Sequence, residues 1–143
     1  MKKRLAAAGL AVLLLSACGK SVLEFETTPG YSKLHAVNAA EENTATGSMT
    51  VGENECVLIN SDLSKGEVNI VFKDHTGNIE LSETFDGIIM NVYDITPGEY
   101  DVSATVLDKA SGDIQILVLN EDEIDREQFS LKDALEEAGV SLD

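Results

Sequence analysis

Few side chains in this chain have the chemistry to act as nucleophile, base or metal ligand: Cys18 and Cys56, His35 and His75, and the acidic run Glu121, Asp122, Glu123 and Asp125. A catalytic thiolate needs an electropositive, partly exposed setting. Cys56 instead has Glu53 and Glu55 beside it and leads into Val57-Leu58-Ile59, so it reads as a small buried hydrophobe in a strand. His35 falls in a weakly patterned stretch, and His75 in a turn between Asp74 and Thr76. No Gly-x-Ser-x-Gly, His-Glu-x-x-His, glycine-rich phosphate loop or Cys-x-x-Cys accompanies them, so no motif pairs a nucleophile with a base. The expectation is a protein without catalytic residues and without a cofactor.

Two binding chemistries remain. The acidic run supplies the hard oxygen ligands that Ca²⁺ prefers, with Asp122 and Asp125 as its central carboxylates, but the spacing is not that of an EF-hand loop. An acidic run placed ahead of a helix also suits the positive end of the helix dipole. Sugar binding needs aromatic platforms. There is no Trp, and Tyr31, Tyr93, Tyr100 and Phe129 are the candidates. Tyr100 begins an alternating strand and reads as core, which leaves Tyr93 as the strand-borne platform.

Cys18 has a different context. Lys2, Lys3 and Arg4 precede an apolar run from Leu5 to Leu15, followed by small residues, the layout of a secretory signal. That run is 11 residues, against about 20 needed to span the hydrocarbon core, so it is a signal and not a span. Leu15-Ser16-Ala17-Cys18 resembles the lipobox of the bacterial lipoprotein family. The resemblance implies a diacylglycerol on the Cys18 sulfur, cleavage between Ala17 and Cys18, and an extracytoplasmic protein held to the membrane by lipid. Two or three acyl chains hold firmly where one does not. A lipidated Cys18 also leaves the chain without an internal disulfide.

Removing residues 1–17 leaves 126 residues, one domain plus a tether, and takes away three basic and no acidic side chains, moving the net charge from −16 to −19. Such a charge excludes nucleic-acid binding, which needs clustered Lys and Arg to displace counterions. It keeps the domain soluble, monomeric and off anionic lipid heads.

The organisation follows from periodicity. Residues 18–46 read as lipidated Cys and flexible tether, with a turn at Thr27-Thr28-Pro29-Gly30 and one exception, Val22-Leu23-Glu24-Phe25, able to add an edge strand. From Gly47 the period becomes two. Ser48 to Val51, Glu55 to Ile59, Val68 to Phe72, Ile79 to Phe85 (with Glu83 a misfit on the inner face), Ile88 to Tyr93, Tyr100 to Val106 and Ile114 to Val118 read as strands. Turns are expected at Ser61 to Gly66, Asp74 to Gly77, Asp86-Gly87 and Asp108 to Asp113, and a type II turn at Thr96-Pro97-Gly98-Glu99. Short alternating strands with tight connections cannot make a parallel sheet. The fold expected over residues 47–143 is an antiparallel β-sandwich or jelly roll of about seven strands, closed by a helix over about 130–139 whose Leu131, Ala134, Leu135 and Ala138 form one narrow apolar stripe packing on its own domain.

From Glu55-Cys56-Val57-Leu58-Ile59 through Ser61-Asp62-Leu63-Ser64-Lys65-Gly66 to Val68 and Ile70, and again at Pro97-Gly98-Glu99-Tyr100, the chain resembles β-domains of small uncharacterised surface lipoproteins. That resemblance brings no catalytic residues. The function expected is a non-enzymatic, lipid-anchored interaction or structural domain of the cell envelope. The alternative is a ligand-binding module for glycan or calcium.

Overall fold

The computed structural model describes residues 21–123. The strands are β1 (Val22–Thr28), β2 (Tyr31–Ala39), β3 (Thr44–Val51), β4 (Glu55–Asp74), β5 (Ile79–Phe85), β6 (Ile88–Tyr93) and β7 (Gly98–Asn120), and a 3₁₀ turn, Glu121–Glu123, follows. The expected helix over 130–139 lies outside the described residues, as do Cys18 and Asp125.

At 20 and 23 residues, β4 and β7 are far longer than ordinary strands of about five or six. They pair antiparallel from Glu55↔Asn120 to Asp74↔Tyr100, with register shifts between Leu63 and Val68. This ribbon bends at the shifts, and each half becomes the centre of one layer of an antiparallel β-sandwich. The first half of β4 and the second half of β7 lie in a five-stranded layer, β1-β2-β7-β4-β6, and the second half of β4 and the first half of β7 in a four-stranded layer, β3-β7-β4-β5. Between the layers sit Leu23, Phe25 and Leu34 from one and Val51, Ile70, Phe72, Val102 and Phe85 from the other, all buried. Gly47 lets the layers close: a Cβ there would lie 3.3 Å from the Phe25 ring and 2.5 Å from Thr27 Oγ1.

The strand count matches expectation, but the strands are not the expected ones. Ser61–Gly66 and Asp108–Asp113 do not turn the chain; they are bends inside β4 and β7. Alternation reads the same whether a strand bends or reverses, so periodicity alone cannot separate the two. Nor are residues 22–46 a tether. They form β1, β2 and the start of β3. Their inner row is weakly apolar because small or polar residues fill it: Ala36, Ala39 and Ala45 are buried, and buried Ser32 donates its hydroxyl to Thr27 Oγ1 at 3.3 Å. The folded domain therefore includes β1 and β2 and does not begin at Gly47.

Two smaller differences have similar causes. Gly98 does not take a positive φ, so Thr96-Pro97-Gly98-Glu99 is not a type II turn; pairing with Val51 draws Gly98 into β7. On β5, only Phe85 of the expected inner row is buried; Leu81 is half-buried and Ile79 is 59% exposed. An edge strand has no neighbour on one side to cover its side chains.

The bend depends on two glycines used reciprocally. Gly66 of β4 (φ +87) lies against β7, where a Cβ would sit 2.2 Å from the Lys109 carbonyl oxygen; Gly112 of β7 (φ +133) lies against β4, with a Cβ 2.3 Å from the Asp62 carbonyl oxygen. Backbone cannot yield as a flexible side chain does. Gly66→Ala and Gly112→Ala are each expected to cost about 2–4 kcal/mol, the backbone penalty plus overpacking. Gly30→Ala, with φ +78 and open space, should cost only the backbone part, about 1 kcal/mol. Urea unfolding of the three variants checks the ranking.

Candidate functional site

The sandwich has two unlike ends. At the bend end the strands turn the corner: Gly87 carbonyl oxygen accepts from Leu63 N–H and from the buried Ser61 hydroxyl, both at 3.0 Å, and Val106 exchanges hydrogen bonds with Glu42 and Asn43. At the open end the layers are joined by loops. Gly52 to Asn54 crosses from β3, where Val51 pairs with Gly98, to β4, where Glu55 pairs with Asn120. The chain is fastened there by Glu121 N–H donating to the Asn54 carbonyl oxygen at 2.8 Å.

The open end carries most of the groups the sequence singles out. Asp74 Oδ1 accepts from the Thr76 hydroxyl at 2.7 Å, Thr76 N–H at 2.9 Å and Asn78 N–H at 3.0 Å. Led by the Thr76 hydroxyl, these bonds hold its carboxyl below the ordinary carboxylate value. His75 Nε2 is 3.2 Å from Glu99 Oε1, and both are exposed. Asp122 is exposed, and its carboxylate accepts from Asn54 Nδ2 at 2.5 Å. Tyr93 stands on β6 opposite Val57, half-buried against the core, with Asn91 Nδ2 donating to its hydroxyl at 3.3 Å. Burial raises its phenol above the ordinary value, with the charge of Glu83 adding to this and the Asn91 bond opposing it. Tyr100 is core, as expected, and its hydroxyl donates to the Thr96 carbonyl oxygen.

Tyr93 and Asp122 do not converge. Tyr93 lies on β6 and its hydroxyl accepts from Asn91, whereas Asp122 follows the end of β7 and accepts from Asn54, so the two belong to separate hydrogen-bond groups. His35 is not in a tether but on β2, at the surface, with Nδ1 2.7 Å from Asp113 Oδ1; Lys33 Nζ is 3.9 Å from the same carboxylate. Both imidazoles thus face carboxylates. Among the described residues, no group of three or more His, Cys, Asp and Glu side chains is placed to hold a metal ion.

One feature of the surface was missed by periodicity. Cys56, Leu58, Leu117 and Leu119 are buried but stand on the side of the five-stranded layer opposite to Val57, Ile59, Ile116 and Val118, which face the core. The unbroken apolar runs Cys56-Val57-Leu58-Ile59 and Ile116-Leu117-Val118-Leu119 are the signal, since a strand covered on both faces loses its alternation. Ile88 and Met90 lie on the adjoining edge strand, 81% and 41% exposed.

No family model matches the chain, and no curated protein matches it. Among solved structures it is similar to a CBM4 (8% identity, TM-score 0.43, covering 73% of this chain and 81% of that one). It is also similar to the Drosophila melanogaster CENP-C cupin domain (13%, 0.37, 68% and 68%) and to an RmlC-like cupin from Shewanella frigidimarina (11%, 0.35, 74% and 83%).

The raised phenols have a consequence at alkaline pH. A folded-state tyrosine value above the unfolded one means that the native state releases its proton later, so stability is intact below the ordinary value of 10.0 and is lost as pH rises through the folded value. Phenolate absorbance of the folded protein should show Tyr93 and Tyr100 ionising above 10.0, and Tyr93→Phe should remove one delayed step. Ionisation of both at the ordinary value would contradict the burial described.

Proposed function

We propose that this chain is an extracytoplasmic lipoprotein, anchored by lipid on Cys18, whose β-sandwich works by binding and not by catalysis. The observation that carries the reading is the spacing between the lipobox and the fold. Only Gly19 and Lys20 stand between Cys18 and Ser21, whose hydroxyl donates to the Asn38 carbonyl oxygen at the entry to β1. Three residues reach about 10 Å at most, far less than a flexible 28-residue tether. A domain so attached rests against the membrane surface with its bend end, because Val22 pairs with Val37 near the corner. Its open-end loops then point outward, where a partner meets them.

For what binds there, the open end supports a glycan better than calcium. Tyr93 offers a half-buried ring beside the Asn91 amide, the pairing of apolar face and fixed polar group that small-ligand sites use. The Asp122 carboxylate already accepts from Asn54, a bond that calcium would have to displace. Contact with an envelope protein through the same loops is the second mode.

Wild-type protein should partition with membranes and carry a lipid mass on Cys18, and Cys18→Ser should abolish both. Recovery of wild type only as free soluble protein would reject the anchor. Soluble oligosaccharide that binds raises the melting temperature: at a hundred times the dissociation constant the gain is about 2.7 kcal/mol, several degrees for a domain of this size. That rise should vanish in Tyr93→Ala and survive Asp122→Asn with Asp125→Asn. A rise with millimolar Ca²⁺ that only the Asn substitutions remove would install the metal reading, and no rise with either would leave the protein contact.

A further inference from the structure

We propose that the outer face of the five-stranded layer is the seat of the chain's own C-terminal segment, residues 124–143, held through the apolar stripe Leu131, Ala134, Leu135 and Ala138. Cys56, Leu58 and Leu117 are each 0% exposed, and Leu119 is 4%. Directly paired residues share a face, and here Leu58 pairs with Leu117 and Cys56 with Leu119, so the four form one continuous patch. Every strand adjoining the patch lies in the same layer, and the second layer covers the opposite face. Flanking side chains such as Tyr31, opposite Leu117, and Val92, opposite Leu58, stand beside the patch and not over it.

The place where the described chain ends selects the occupant. Asn120 pairs with Glu55, next to Cys56, and the Glu121 to Asn54 bond then fixes the exit at the rim of this face. Twenty residues follow, and eight steps separate Glu123 from Leu131, a reach of about 26 Å. A helix over 130–139 would be about 15 Å long, which matches three strand spacings of about 4.8 Å. Its other side carries Lys132, Asp133, Glu136 and Glu137, as a solvent face requires. The amino-terminal segment enters from the far side: β1 is the outermost strand there, separated from β4 by β2 and β7, and Val22 sits at the bend end.

Cys56 is the reporter. In the full chain carrying Cys18→Ser it is the only thiol, and it should react slowly with N-ethylmaleimide. Leu131→Asp with Leu135→Asp should speed that reaction roughly tenfold or more, as removal of a local cover does, while the strand-type far-UV spectrum and a cooperative melt persist. Glu136→Lys, on the solvent side, should change nothing. Should the double variant lose its cooperative melt, Leu135→Ala under native conditions gives the same reading, with a smaller acceleration expected. Undiminished protection of Cys56 in the folded double variant or, where that variant does not fold, in Leu135→Ala would overturn the proposal. So would protection lost on dilution, which means a second copy covers the face, or protection lost in Leu13→Asp, which means the amino-terminal segment does.

Discussion

The antiparallel pairing of β4 with β7 is the interaction on which the rest of this domain depends. Its partners stand between 26 residues apart (Asp74 and Tyr100) and 65 residues apart (Glu55 and Asn120), so forming the ribbon closes long loops, at a cost in chain entropy. Every other strand except β1 attaches directly to one of these two, β2 and β3 to β7, β5 and β6 to β4. The bend turns one ribbon into two facing sheets. That it bends and does not run straight is decided by backbone touching backbone at Gly66 and Gly112, where each strand uses its glycine against the other's main chain.

Burial is arranged around that ribbon in an unequal way. The inner faces hold Phe25, Phe72, Ile70 and Ile116 in a common core, and the hydroxyls buried among them are satisfied locally, Ser32 by Thr27 and Ser61 by Gly87, as buried polar groups require. The five-stranded layer is also apolar on its outer side, over Leu58 and Leu117. Both faces of this layer are thus buried over its central strands β4 and β7. The edges β5 and β6 escape this covering, which is why Ile79 and Ile88 remain exposed.

The ionisable groups follow from the same layout. The imidazoles of His35 and His75 sit at exposed positions beside Asp113 and Glu99. Exposed pairs of that kind contribute little to stability, about 0–1 kcal/mol. Asp74 serves the β4–β5 turn, where its carboxylate replaces missing main-chain partners. Among the described residues, these groups therefore serve a turn and surface pairs.

By itself the sequence determined what depends on neighbours in the chain. Alternation marked most of the strand segments, Asp74 to Gly77 marked a real turn, and Cys56 was recognisable as a buried strand residue from its apolar followers, whereas Asp86-Gly87, expected to turn the chain, is a bend between β5 and β6, which both run antiparallel to β4. Tertiary structure alone decided that 31–46 joins the sheet beside the edge strand expected at Val22 to Phe25, that the segments on either side of Gly66 and of Gly112 are one strand each, that His35 meets Asp113, and that Leu58 and Leu117 back onto each other outside the core. The reason is physical: period-two patterning reports which side a residue faces, but not whether a strand bends or reverses, nor what lies across from it. Those depend on partners tens of residues away, and an inner row of Ala36, Ala39 and Ser32 becomes core only when another layer presses against it.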